Sequence, residues 1–239
     1  MKFFVQTYLR YLVRISLWRH KPEVVVVAGI TNKSTVKRVI ASRLSATGLS
    51  VRSNPKSYNT EIGLPLAILA LAAGGSSVRA WWRSLAQGTW RALVGKKFPG
   101  LLVLEFGISG RGDMRELLKI VKPRMAVFTN VVLSDFNPHA TIEELTGEFE
   151  VLMRNIPTGG YAIVNADDPQ LEMLCEKKYC ATVTYALHQP ADLTAAGVRQ
   201  EIDGQHFVVN GREIVVARFG DHHIYAYLAG EAVAQCYNV

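Results

Sequence analysis

The residues of this chain that could do chemistry together start at Gly29-Ile30-Thr31-Asn32-Lys33-Ser34-Thr35. A glycine, a lysine and two hydroxyls between an apolar run and a helical one suit a phosphate group. Backbone N–H groups at a helix start cradle anions, the lysine would meet the β- and γ-phosphates, and the hydroxyls are placed for phosphate or Mg²⁺. The longer G-x-x-x-x-G-K-[ST] pattern fails, because Val27 and Asn32 stand where its glycines would be. Taken alone, the Lys-Ser-Thr start fits a helix N-cap beside a surface lysine equally well. Glu105 is the second candidate. It closes the apolar run LLVLE, and ligands of parallel sheets gather beyond the carboxyl ends of the strands. An acid buried there otherwise needs a partner.

The elements around these residues read as alternating strands and helices. EVVVVAG is apolar and β-branched, as in a strand buried on both faces, and TVKRVIASRLSATG reads as a helix ending at Gly48. Strands are expected near residues 49–53, 101–107, 124–132, 161–168 and 181–187, and helices over 64–73, 113–121, 141–154 and 224–237. Thr141 with Glu144 three residues on predicts a capping box. Asp203-Gly204 and Asn210-Gly211 lie between alternating segments and predict an antiparallel hairpin. The expected fold is a three-layer α/β/α, P-loop-like domain with a mostly parallel sheet and this small hairpin appended, over residues 22–239. Residues 1–21 precede it. There Val5, Tyr8, Leu9, Leu12, Val13 and Leu17 recur at helical spacing, giving an amphipathic helix with a basic opposite face that Pro22 ends. Residues 74–100 mix Trp81, Trp82 and Trp90 with five basic residues and no acid, and read as a helical insertion whose tryptophans pack.

Composition narrows the function classes. The 239 residues are 49% apolar, enough for a sizeable core, yet they hold no apolar run of about 18 residues that could span a membrane. Cys175, Cys180 and Cys236 lack metal-ligand spacing and read as free thiols. Residues 1–98 carry sixteen Lys/Arg against two acids, Glu23 and Glu61, while the remainder carries eleven against eighteen. Such a half can face phosphates or an anionic surface, or can be a solvated basic face. The expected location is the cytoplasm, with a peripheral position at the inner membrane face compatible with the charge. Nucleic acid is not an expected partner.

Several segments together resemble the Mur ligase family. AGITNKSTVKRVIASRL aligns without a gap to that family's shorter phosphate loop, G-[ST]-x-G-K-[ST]-[ST]. SYNTEIGLPLAIL, LLVLEFGISGRGDMRELLKIVKPRMAVFTNV and IPTGGYAIVNADD look like the branch that adds D-alanyl-D-alanine to the UDP-muramoyl tripeptide, and GDHHIYAYLAGEAVA is similar to the segment closing the family's central domain. The likeness runs in order from about residue 23 to the end.

The resemblance implies an ATP-dependent amide ligase of cell-wall peptidoglycan precursor synthesis, here as a truncated or divergent central domain, with ATP and Mg²⁺ as cofactors. By its alignment Lys33 is the catalytic phosphate lysine and Ser34 and Thr35 the hydroxyl pair, one of them a metal ligand. Gly29, Thr31 and Asn32 complete the nucleotide loop. Asn59 and Glu61 match the loop near a UDP-muramoyl-peptide-type substrate. Glu105 matches the metal-binding glutamate, and Asn165 and Asp167 lie close to the nucleotide. The chain also departs from the family. Asn32 replaces the glycine before the lysine. Asp135 replaces a metal-holding histidine and would offer Mg²⁺ an oxygen. Phe149 replaces a lysine that several members carbamylate to bridge two metals. His223 and Ala226 replace two asparagines near the base. The family's first and last domains have no counterpart here, so a partner domain or chain is expected. The alternative reading is a non-catalytic relative serving as a nucleotide-binding or scaffold module.

Overall fold

The computed structural model of the protein describes residues 2–54, 58–133 and 140–239. In chain order these form α1 (Lys2–His20), β1 (Glu23–Ala28), α2 (Lys33–Ala46), β2 (Val51–Ser53), α3 (Gly63–Leu69), α4 (Val78–Leu93), β3 (Leu101–Phe106), α5 (Asp113–Leu118) and β4 (Met125–Phe128). Then follow α6 (Ile142–Arg154), β5 (Tyr161–Asn165), α7 (Pro169–Glu176), β6 (Ala181–Ala186), β7 (Leu193–Thr194), β8 (Ala196–Glu201), β9 (Gly204–Val209), β10 (Arg212–Val216) and α8 (Asp221–Cys236).

Seven strands pair in the order β2-β3-β1-β4-β5-β6-β7, every pair parallel. Side-chain alternation along β1 explains why helices cover both faces. Val24, Val26 and Ala28 point into a core shared with α1, α3, α5, α6 and α7, while Val25 and Val27 point to α2 and α8. Three layers result, and the α/β/α expectation holds. The two turn signals near the C-terminus join three strands, β8-β9-β10, in a separate antiparallel sheet. Phe207 and Val209 of β9 pack into the α2–α8 core. The capping box at α6 forms as its sequence predicts, Thr141 accepting from the Glu144 N–H.

Helix α1 packs on the domain through Leu9, Leu12 and Val13, all buried. The tryptophans of the 74–100 segment differ from expectation. Trp81 is half-buried, with Nε1 donating to Gly75 O at 3.1 Å, but Trp82 and Trp90 are 70% and 65% exposed. The reason is the face α4 buries. Ser84, Gly88 and Ala92 are small and let the helix approach closely, so that a Cβ at Gly88 would lie 2.9 Å from Leu71 and 3.2 Å from Leu12. The large residues are left outside.

Candidate functional site

The central strand β1 delivers Gly29 to the carboxyl edge of the sheet, between the ends of β3 and β4. At Gly29 the backbone has φ 152°, and a Cβ would fall 1.9 Å from Thr129 Oγ1, so only glycine fits without a shift. The loop that follows is tied to the end of β4. Asn130 Oδ1 accepts from Ile30 N at 3.1 Å and from Thr31 N at 2.9 Å, and Thr129 Oγ1 donates to Thr31 O at 2.8 Å. Asn32 adopts φ 64°, the left-handed conformation a glycine would take without cost, and caps α2 there. Its side chain has a use: Nδ2 donates to His222 O, 2.9 Å away at the start of α8.

Lys33 opens α2 and folds back, its Nζ donating to Ile30 O at 2.8 Å. Burial pushes its pKa below the usual lysine value, against an opposing pull from Glu105. Glu105, near the end of β3, is only 2% exposed and is fully engaged. Its Oε2 accepts from Ser34 Oγ at 2.8 Å and from Lys37 Nζ at 3.2 Å, and its Oε1 accepts from Asn59 Nδ2 at 3.0 Å. Sequence reasoning missed Lys37. The readable signal was its place on the inward stripe of α2 with Ile40 and Leu44, where a lysine needs a buried acid.

Lys33, Asn59 and Glu61 line one cavity of about 600 Å³ with Gln6, Ser109 and Asp113. Helix α1 reaches this cavity, another feature the sequence did not reveal. Gln6 Nε2 donates to Glu61, and Arg10 bridges Glu61 at 3.4 Å and Glu116 at 3.3 Å. The structure therefore brings Lys33, Ser34, Glu105, Asn59 and Glu61 to one edge of the sheet.

The remaining candidates sit apart from that cavity's lining or are otherwise occupied. Asn165 is buried and ties strands together, Nδ2 donating to Thr129 O at 3.0 Å and Oδ1 accepting from Asp167 N at 3.1 Å. Asp167 accepts from Leu187 N at 2.6 Å, Gln189 N at 2.8 Å and Tyr225 Oη at 2.8 Å. Burial raises its pKa, but these donors and the His188 N–H together outweigh that and hold it below the usual range. Both side chains hold the fold near the site. His223, its pKa lowered by burial and then by His222, Arg218 and Arg38, lines a separate cavity of about 560 Å³ with Thr35, Arg38, Arg218 and Tyr227. Asp135 lies outside the described residues. Phe149 is fully buried, edge-on to Phe128 with ring centroids 6.1 Å apart, and so belongs to the core. Its neighbours have other tasks. Glu148 accepts from Gly112 N and Met114 N, both at 2.7 Å, at the start of α5, and Glu150 pairs with Arg154 and Lys177.

Chemically, Ser34 Oγ beside Glu105 Oε2 is an all-oxygen donor pair of the kind Mg²⁺ prefers. The Lys37 ammonium on the same carboxylate oxygen supplies a competing positive charge.

Comparison with known proteins identifies a family. A model described as the Mur ligase middle domain matches residues 92–234. The UDP-N-acetylmuramoyl-tripeptide--D-alanyl-D-alanine ligase of Synechocystis sp. is 26% identical over 225 residues, covering 92% of this chain and 42% of the relative. The ligase of the same name from Bacillus subtilis is 24% identical over 235 residues, covering 98% and 45%. A crystal structure of MurF ligase from Thermotoga maritima in complex with ADP superposes with a TM-score of 0.77 at 22% identity, covering 98% of this chain and 49% of that one. A MurF structure from Acinetobacter baumannii gives 0.75 at 18% identity, covering 98% and 46%. The chain thus spans under half the length of these relatives.

Proposed function

The chain belongs to the Mur ligase family through its middle domain, and from that membership we propose that it is the ATP-handling part of an amide ligase of peptidoglycan precursor synthesis. The observation carrying this reading is the meeting of Lys33, Ser34 and Glu105 where β1 and β3 end, beside a cavity also lined by Asn59 and Glu61. In the proposed reaction a carboxylate oxygen of a UDP-muramoyl-peptide-type substrate attacks the γ-phosphorus of ATP, and ADP leaves. An amine then attacks the acyl carbon, phosphate leaves, and the amine gives up a proton. Lys33 turns from Ile30 O to the phosphates, and the N–H groups at the start of α2 face the developing charge. Mg²⁺, held by Ser34 Oγ and Glu105, would neutralise charge on the phosphates. Gly29, Thr31, Asn32 and Thr35 shape the nucleotide loop, with Asn165, Asp167 and His223 on the nucleotide side.

The reading assigns residues 22–239 to the ATP-binding domain. It adds a partner domain or chain to supply the rest of the substrate cradle, and a cytoplasmic location beside an anionic membrane surface. Calorimetry with Mg-ATP tests it. Binding is expected in the micromolar to millimolar range, and Lys33→Ala should weaken it by about 1.5–3 kcal/mol, the scale of a hydrogen bond to a charged group. Failure of the unaltered chain to bind Mg-ATP would overturn the reading.

One observation favours a second reading, a non-catalytic relative that binds nucleotide or acts as a scaffold. Phe149 is sealed in the core, so this position supplies no metal-bridging group. Nucleotide binding without phosphate release, with a partner domain supplied, would select that reading.

A further inference from the structure

We infer that the outward face made by α1 and α4 is a seat for an anionic lipid bilayer. This deepens the membrane-side location proposed above by naming the surface, and it does not depend on the ligase chemistry. Nine of the eighteen exposed large apolar side chains among the described residues lie on α1, on α4 or on Val94, which caps α4. They include Phe4, Tyr8, Tyr11 and Trp18 on one stripe of α1, and Trp82 and Trp90 on α4, exposed between 40% and 77%. The two helices lie side by side. Tyr8 Oη meets Thr89 Oγ1 at 2.7 Å, and between the helices runs an apolar groove of about 600 Å³ lined by Phe4, Tyr8, Val78, Trp82 and Leu85 among others.

Charge selects the occupant. Arg14 lies beside the α1 stripe, Arg79 and Arg83 flank Trp82, and Lys96 and Lys97 follow α4, all of them exposed. Residues 62–104 contain no acid. The two acids of residues 1–98 are each paired, Glu23 with Arg124 and Glu61 with Arg10. A face of tryptophan, tyrosine and arginine without carboxylates matches the headgroup level of an anionic membrane. There the rings are half in apolar surroundings, and each basic group gains from the surface potential. No helix among the described residues is long and apolar enough to cross a membrane, so the helices lie in the interface. Gln6, on another side of α1, lines the Lys33–Glu61 cavity, so this seat sets that cavity beside the bilayer.

The test uses vesicles of phosphatidylcholine alone and of phosphatidylcholine with an equal part of phosphatidylglycerol, read by co-sedimentation and tryptophan emission. The chain should bind only the anionic vesicles, with emission shifted to the blue, and salt should release it. Arg79→Glu with Arg83→Glu should weaken partition by about thirtyfold or more. Trp18→Ser, Trp82→Ser and Trp90→Ser together should weaken it with the charge unchanged and abolish the blue shift. Circular dichroism checks that each variant stays folded, which their exposure favours. Equal binding to both vesicle types, binding to neither, or a triple tryptophan variant that binds as the wild type does would overturn the inference. So would a dimer in analytical ultracentrifugation that the tryptophan changes dissolve, since it would assign the face to a second copy of this chain. Mg-ATP calorimetry on the same preparation reports separately on the ligase reading.

Discussion

Replacing Lys37 by methionine tests whether the buried Lys37–Glu105 pair organises the site. The two side chains are 2% and 3% exposed, and Nζ lies 3.2 Å from Oε2. Methionine keeps most of the stem's volume but removes the ammonium, leaving Glu105 buried with Ser34 and Asn59 as its remaining named donors. Removing one partner of a buried pair costs about 3–5 kcal/mol, because the other charge stays out of water. For a domain of this size that is a fall in Tm of roughly 6–20 °C. Thermal melts followed by circular dichroism would read it. Glu105→Gln should destabilise for the same reason. The double variant should lose less than the sum of the two single losses, by about 1–3 kcal/mol, because the pair is removed together. A second readout bears on the site itself. The ammonium competes for the carboxylate oxygen that Mg²⁺ would use, so Mg²⁺ should raise the Tm of the Lys37→Met chain more than that of the wild type. A Lys37→Met chain melting within about 2 °C of the wild type, or strictly additive losses, would refute the reasoning.

Asn32→Gly should change stability by no more than about 1 kcal/mol, because relief of the left-handed backbone offsets loss of the bond to His222 O. Calorimetry should show tighter Mg-ATP binding, and weaker binding would mean that the Asn32 side chain serves the nucleotide. Phe149→Lys alone should melt the domain rather than rebuild a metal bridge. Losing a buried phenyl ring costs about 3–5 kcal/mol before the buried ammonium is counted. A variant as stable as the wild type, with phosphate release that carbon dioxide stimulates, would contradict this. His206, held chiefly by Asp203 and then Glu213, has its pKa raised above the ordinary imidazole value of 6.5. Its folded pKa exceeds its unfolded one, so its stabilising contribution is full below about pH 6.5 and fades as pH rises through the folded value. Proton NMR should find that midpoint raised in the wild type and lowered toward the ordinary value by Asp203→Asn, whereas an unshifted wild-type midpoint would remove the argument.

The parallel sheet was legible because its strands are short, apolar and buried on both faces, and because turn residues separate them from amphipathic helices. What the sequence obscured were elements whose signals overlap. Helix α7 opens with Asp168 at its N-cap and Pro169 in its first turn, a strong start signal. The same Asn-Ala-Asp-Asp run also reads as the polar end of β5, and the strand reading absorbed it. In α4 the tryptophans suggested packing by their size. The backbone instead buries the small residues Ser84, Gly88 and Ala92, because close approach to α1 needs them. Periodicity identifies a helix and its stripes, but not which stripe a neighbour's shape will accept.

The site divides along a similar line. The places of the loop over residues 29–35 and of Glu105 were readable because each sits at a strand end, where chain order alone fixes position. Gln6, Arg10 and the Asn32–His222 bond were not, because each depends on a residue far away in sequence, and Lys37 left only the signal of a lysine on the inward stripe of α2. Asn32 shows why this matters for judging a departure from a family pattern. Read alone, an asparagine in place of glycine costs backbone energy and crowds a phosphate. In the fold its amide reaches the first turn of α8 and joins the loop to the helix bearing His223. The substitution therefore carries a compensating contact, as expected of a position whose new residue is held by the structure. Phe149 is compensated too, by Phe128 and the core, but the gain there is packing and serves no ligand. One departure ties the loop over residues 29–35 to α8, and the other fills a core position with a phenyl ring. In the proposed reading the loop holds a nucleotide through Lys33, Ser34 and Glu105, while residue 149, sealed in the core, offers no bridging ligand for a second metal.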